Sequence, residues 1–194
     1  MHVGSYLQRH GESVNNVAHV FTCRRLDPGL TDEGRAQITA AAAWYASRGI
    51  RRLVTSTALR ARESAVLLGA VLHLDPQEDA RLLEVDVGDL EGQSERDPAL
   101  LAGFMATLEG WMRGEDVRFA GGESFADVQA RLAVLDAYVA EPGTLVVGHA
   151  GLFGLFLATR RKPVADPGDV MIPRGGRVYV DEAGVWRIER PDEV

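Results

Sequence analysis

The sequence predicts an α/β fold: a three-layer sandwich with a mostly parallel central sheet, helices on both faces and a small helical cap. Three observations predict it. A short apolar strand followed by a turn and a helix recurs along the chain, which sets strands side by side in parallel with helices crossing between them. Two of these strands end alike, at Arg9-His10-Gly11 and at Gly148-His149. The C-terminal tail instead alternates strand-like runs and turns at Val170 to Ile172, Arg177 to Val180 and Val185 to Ile188, the pattern of edge strands.

Taken in order, Val3 to Gln8 is the first strand and runs into a glycine-bearing turn. Thr31 caps an alanine-rich helix that has Asp32 and Glu33 in its first turn and continues to about Arg48, where Gly49 ends it. Arg51 to Thr55 is a second strand, and Ser56 or Thr57 caps a helix from about Ala58 to Leu72. Arg81 to Gly92 is irregular and reads as a short strand followed by loop. Asp97 to Arg113 and Ser124 to Ala140 have helical spacing on either side of the turn Phe119-Ala120-Gly121-Gly122. They suggest a cap or insertion around residues 93–123 of a single 1–194 domain. Thr144 to Gly148 is an uninterrupted apolar strand, Leu152 to Thr159 the next helix, and Gly175-Gly176 and Glu182-Ala183-Gly184 are turns in the tail.

The 194 residues, 46% hydrophobic and 25% charged, suit one globular domain with a sizeable core. A formal net charge of -7 argues against a nucleic-acid partner, because phosphate backbones are held by concentrated basic surface. The single cysteine, Cys23, excludes an intramolecular disulfide and offers no zinc cluster. No export-signal pattern opens the sequence, and the longest apolar run, near Gly151 to Ala158, is too short to cross a bilayer. A cytoplasmic location without a membrane partner is therefore expected, and a homodimer stays open.

Because His10 and His149 each follow a strand, one sheet can bring both imidazoles to the carboxyl ends of its strands, where the crevice of such a sheet lies. Arg9 adjoins His10, and Arg60 opens the helix after the second strand. Two guanidiniums and two imidazoles make a cradle for a phosphoryl group, whose oxygens accept charge-assisted, bidentate hydrogen bonds. An imidazole attacks phosphorus when one ring nitrogen is bare and the other is fixed by a hydrogen bond, the role assigned to His10. Glu84 is the candidate that protonates the leaving oxygen and then activates water. The scheme needs no metal or cofactor, although Asp86 and Asp89 beside Glu84 leave a minor metal reading.

Leu7-Gln8-Arg9-His10-Gly11-Glu12-Ser13-Val14-Asn15-Asn16 resembles the signature of the histidine phosphatase superfamily, which includes cofactor-dependent phosphoglycerate mutases. Leu30-Thr31 with Gly34 and Gln37, Ser56 through Arg60-Ala61 to Ser64-Ala65, and Leu83-Glu84 with Gly88 and Glu91-Gly92 resemble its following segments. Gly121-Gly122-Glu123-Ser124 with Arg131 is similar to the phosphatase branch, and Val146-Val147-Gly148-His149 resembles the strand that delivers the second histidine. The likeness runs from about Tyr6 to Gly154. It implies His10 as nucleophile, Arg9, Arg60 and His149 as phosphate ligands, Glu84 as proton donor, and Asn16 as a further phosphate contact. Ala150, where the family has glycine, and Ala58, where it has a larger residue, depart from the pattern without removing a reacting group.

Blander roles stand beside these. Asn16 suits a turn or helix cap equally well. A loop pair such as Arg24 and Arg25 ordinarily faces solvent, although it could select an acidic substrate at the pocket mouth, and Arg62 reads as a surface charge. Trp111, Phe104 and Met105 lie at helical spacing and suit a core. The expected activity is hydrolysis of a small phosphomonoester through a phosphohistidine on His10. A phosphoglycerate mutase-type phosphotransferase is the alternative, followed by a catalytically idle phosphate-binding protein.

Overall fold

The computed structural model describes residues 4–160, 172–181 and 185–189. Strands β1 (Ser5–Arg9), β2 (Arg52–Thr55), β3 (Gln77–Glu78), β4 (Thr144–Gly148), β5 (Arg177–Val180) and β6 (Trp186–Glu189) form one sheet in the order β3-β2-β4-β1-β5-β6. The four strands from β3 to β1 are mutually parallel, whereas β5 runs antiparallel to both β1 and β6. The expected mostly parallel sheet is present. Arg177–Val180 is not an edge, since β1 and β6 pair on either side of it. Val170 and Met171 of the expected tail strand, and the turn at 182–184, lie outside the described residues.

Alternation along each strand sorts the two faces. Leu7 pairs in register with Val146 and Val178, and Val146 with Val54, so this row faces one core together with Leu132, Leu135, Phe153 and Phe156. The neighbouring row, Leu53, Leu145 and Tyr6, faces a second core. Burying each such side chain contributes about 1.5–3 kcal/mol.

The second core is closed by α2 (Asp32–Tyr45) and α3 (Leu59–Leu72). In α2, Ile38, Ala41, Ala42 and Tyr45 make the buried stripe, and Thr31 caps the helix by accepting from Gly34 N. The helix stops at Tyr45 rather than near Arg48. For α3 the expected caps are corrected. Ala58 is the N-cap residue and gives no side-chain bond, and the Leu59 N–H instead donates to Asp27 Oδ1 at 2.6 Å. Ser56 Oγ accepts from Ala58 N, outside the helix.

The first core is covered by α5 (Phe125–Val139) and α6 (Ala150–Arg160), with Trp111 of α4 (Pro98–Met112) wholly buried beside them. Of the three residues expected in a core, Trp111 is buried and Phe104 packs against the first core, but Met105 is 45% exposed. The short helix α1 (Val14–Ala18) follows the first strand's turn. The segment expected to hold a strand at Arg81 to Gly92 holds 3-10 turns at Ala80–Leu82 and Gly88–Leu90, and the strand lies earlier, at β3. Among the described residues no helix is long and apolar enough to cross a membrane.

Candidate active site

The parallel register does the positioning. Arg9 pairs with Gly148 and Thr55 with Val147, so the residues leaving β1, β4 and β2 emerge together at one end of the sheet. They are His10, His149 and Ser56. Backbone bonds continue the ladder past the strand ends, from His10 N to Gly148 O and from Ser56 N to Val147 O, both at 3.0 Å. The turn after His10 lies backbone to backbone on the first turn of α2. A Cβ at Gly11 would stand 2.3 Å from Gly34 O, and one at Gly34 would stand 2.1 Å from Glu12 O, so neither position admits a side chain.

His10 is 4% exposed and His149 is fully buried, with ring centroids 5.2 Å apart. His10 Nδ1 lies 2.7 Å from Gly11 O, an acceptor that fixes the proton on Nδ1. Nε2 is then bare, and it accepts from Arg60 Nε at 3.3 Å. Burial, then the guanidiniums of Arg60 and Arg9, hold the His10 pKa well below its ordinary value, so the ring stays neutral. His149 is lowered in the same way by burial and by Arg60. Its Nε2 lies 2.9 Å from Ser56 Oγ. Ser56 Oγ accepts from Ala58 N and has its own proton to give to Nε2, an arrangement that would put the His149 proton on Nδ1.

Arg60 is 2% exposed, in the first turn of α3. Its Nη2 donates at 3.4 Å to Thr22 O and Cys23 O. Arg9 Nη1 donates to Ile172 O at 2.8 Å. Burial lowers the pKa of both guanidiniums. At this site, among the described residues, the buried Arg9 Nε, Arg60 Nη1 and His149 Nδ1 have no hydrogen-bond partner. An unsatisfied buried donor is costly, and donors of this kind on residues that neighbour His10 can serve an anion.

The residues named from the sequence occupy this end of the sheet in different ways. Glu84 sits at the start of α6, just after His149, where Oε2 accepts from Gly151 N at 3.0 Å and Oε1 from Leu152 N at 2.9 Å and Val85 N at 2.8 Å. Its charge is felt at Arg9 and Arg60. Asn16 Oδ1 accepts from Ser13 N at 3.1 Å, as a turn of α1 requires. Arg24 and Arg25 part company: Arg25 is exposed, while Arg24 turns inward to pair with Glu123 at 2.6 Å. Arg62 is exposed.

Several residues have contacts that the sequence did not display. Ser56, which stood there as a helix cap and as the start of a segment resembling the family, has its Oγ 2.9 Å from His149 Nε2. Ser64 Oγ accepts from Gly11 N and donates to Arg60 O, tying the turn after His10 to α3. Glu91 Oε1 accepts from four successive amides, Cys23 to Leu26, at 2.8 to 3.0 Å, and so shapes the loop whose carbonyls hold Arg60. Arg174 pairs with Glu12 at 2.8 Å and donates to Asn16 O. Glu91 stood in the Glu91-Gly92 segment that resembles the family, but amide partners 65 to 68 residues away leave no mark in sequence spacing. Among the described residues no group of three or more His, Cys, Asp or Glu could hold a metal ion.

The model of the histidine phosphatase superfamily (branch 1) matches residues 5–175. The chain belongs to that superfamily. Within it, a 2,3-bisphosphoglycerate-dependent phosphoglycerate mutase of Methylobacterium radiotolerans is 38% identical over 144 residues. That alignment takes in 69% of this chain and 64% of the mutase, less than two thirds of the relative's length. The fold superposes on a mycobacterial glucosyl-3-phosphoglycerate phosphatase in complex with VO3, with TM-score 0.75 and 30% identity over 96% of this chain and 97% of the other. A phosphoglycerate mutase of Thermus thermophilus gives TM-score 0.69 at 26% identity, over 96% of both chains. Superfamily membership agrees with the motif resemblance and with the sheet architecture.

Proposed function

We propose that this chain hydrolyses a small phosphomonoester through a phosphohistidine on His10 Nε2. What supports the reading is that Arg9 Nε, Arg60 Nη1 and His149 Nδ1 are buried without a hydrogen-bond partner, on two arginines whose charges act on His10 and a histidine whose ring lies 5.2 Å from it, while His10 Nε2 accepts from Arg60 Nε. In the first step the Nε2 lone pair forms a bond to phosphorus as the bond to the alcohol oxygen breaks, and Glu84 gives that oxygen a proton. The three donors take the equatorial oxygens, where charge must be held through the transition state. In the second step Glu84 takes a proton from water, water oxygen replaces Nε2 on phosphorus, and orthophosphate leaves. The scheme calls on no metal and no cofactor. Asn16, whose Oδ1 is bound to Ser13, has only its amide N–H groups to offer phosphate.

Residues from about 93 to 123 read as the cap that meets the rest of the substrate. Supporting this, Phe104 of α4 contacts Phe21 at 5.2 Å between centroids, next to the Thr22 and Cys23 carbonyls that Arg60 addresses. A cytoplasmic setting suits such a substrate.

The mutase reading has an observation of its own, the 38% identity to the Methylobacterium enzyme. One experiment separates the two. The protein, with chelator present, is given 3-phosphoglycerate and a trace of the bisphosphate, then a panel of small phosphomonoesters. Alkaline quenching preserves a phosphoramidate on the protein. The expected result is orthophosphate release and a phosphoenzyme, both lost in His10→Ala. Rapid isomer formation with little free phosphate would replace the hydrolase reading by the mutase one. A fully active His10→Ala variant would defeat both.

A further inference from the structure

Outside the residues around His10, the described residues hold a second concentration of buried charge at Glu123 and Arg131. Glu123 and Arg131 have side chains only 10% and 14% exposed, and they pair through Arg131 Nε to Oε1 at 2.9 Å and Nη2 to Oε2 at 2.8 Å. Burial alone would raise the Glu123 pKa, but the Arg131 hydrogen bonds and the Asp86 amide hold it below the ordinary value. A buried ion pair is weak evidence for stability, because removing two charges from water offsets most of their attraction. Its use is better sought in what its remaining donors and acceptors address.

They address the backbone that carries Glu84. Arg131 Nη1 donates to Leu83 O at 2.6 Å and Arg81 O at 2.9 Å, and Nη2 reaches Glu84 O at 3.4 Å. Glu123 Oε2 accepts from Asp86 N at 3.0 Å, and Glu123 N donates to Asp86 O at 2.9 Å. Arg24 closes the set, bonding Glu123 Oε1 at 2.6 Å and approaching Glu84 O with Nε at 3.4 Å. Residues 81–86 contain no strand, so these side chains take the place of a sheet ladder in fixing that backbone.

We propose that Glu123 and Arg131 are positioning residues that set where the Glu84 carboxyl stands relative to the leaving oxygen. This rests on the hydrolase reading of Glu84. Their side-chain hydrogen bonds go to each other, to Arg24 and to the backbone of residues 81–86 rather than to Arg9, His10, Arg60 or His149, so their loss should leave the cradle in place. It weakens only proton donation, which matters when the leaving alcohol is a poor one and little when it departs readily as an anion.

The test compares kcat/KM, which reports the steps up to alcohol release, for an alkyl phosphate and for p-nitrophenyl phosphate. Glu84→Gln is the reference, with Glu123→Gln and Arg131→Lys as the variants. The lysine retains the charge opposite Glu123 but cannot fork to three carbonyls. Both variants are expected to lose about tenfold or more on the alkyl ester and to stay within about threefold on the aryl ester, a smaller copy of the Glu84→Gln pattern. If Glu84→Gln shows that pattern and the two variants lose equally on both esters, or lose nothing, the positioning role is overturned and the hydrolase reading stands. If Glu84→Gln itself treats both esters alike, the proton-donor reading fails and takes this inference with it. Should Glu123→Gln not fold, Arg131→Lys decides; failure of both to fold makes the pair structural and overturns the proposal.

Discussion

His10 Nε2 accepts a hydrogen bond from Arg60 Nε at 3.3 Å, so the group that would bind phosphate also holds the lone pair of the proposed nucleophile. An arriving phosphoryl group exchanges this contact for its own oxygens, and the ring is already aimed. Arg60→Lys keeps the charge but loses the fork. A fall of about a hundredfold in kcat/KM is expected, the scale on which one preorganised donor matters. In thermal melts with and without saturating orthophosphate, the variant should lose most of the stabilisation that phosphate gives the wild type. A variant stabilised as strongly as wild type would show that Arg60 is not a phosphate ligand.

Gly151 allows Glu84 to reach the start of α6. A Cβ there would lie 2.7 Å from Glu84 Oε1, the mobile end of a side chain, so Gly151→Ala should fold and displace the carboxylate. Alanine in a helix gains up to about 1 kcal/mol over glycine, which offsets part of the disturbance. The expected outcome is a stability close to wild type with slower turnover of alkyl phosphates, read from urea melts and phosphate release. Unaltered turnover would place the proton donor elsewhere.

The two buried histidines give stability a defined pH dependence. Both have pKa values below the ordinary one, so the folded protein disfavours their protonation while the unfolded chain binds protons near pH 6.5. Their contribution is complete above that pH and is lost as pH falls below it, each with a slope approaching 1.4 kcal/mol per pH unit. Urea unfolding without phosphate should show up to about 3 kcal/mol less stability at pH 5.5 than at 7.5 from this pair. His149→Gln should roughly halve that difference, and an undiminished difference would mean that other groups cause it.

Asp27 caps α3 from 32 residues away in sequence. Asp27→Ala should cost about 1 kcal/mol in unfolding free energy and Asp27→Asn only part of that, because the amide oxygen still accepts from Leu59 N. Equal losses in the two variants would assign the effect to charge rather than to the cap.

Burial, and then the nearby Glu84 charge, push the Cys23 thiol pKa up, and the side chain is 3% exposed. Iodoacetamide at mildly alkaline pH should leave it unmodified until the chain is unfolded. Rapid labelling of the native protein would contradict this.

What the sequence displayed was whatever obeys local periodicity. The strand ending at Gly148 was legible to the residue, and two histidines after two parallel strands forecast their meeting, because the register Arg9 to Gly148 follows from strands of similar length. What stayed hidden depends on partners distant in the chain. Asp27 displaced Ser56 and Thr57 as the cap of α3 because a side chain folding back across the helix end satisfies Leu59 N without any local motif. The segment from Arg81 to Gly92 looked like a strand and loop, but its carbonyls go to Arg131, a residue of α5. β3 has only two residues, both polar and exposed, so no alternation marks it.

Glu91 gathers the amides of Cys23 to Leu26 on a single oxygen. The shape of that loop is thus written in one acid that lies outside it, and the side chains at positions 25 and 26, both exposed, are not what maintains it. Such a loop can be re-lettered without being re-folded. Descendants of this chain could trade those two residues while the carbonyls that hold Arg60 keep their places.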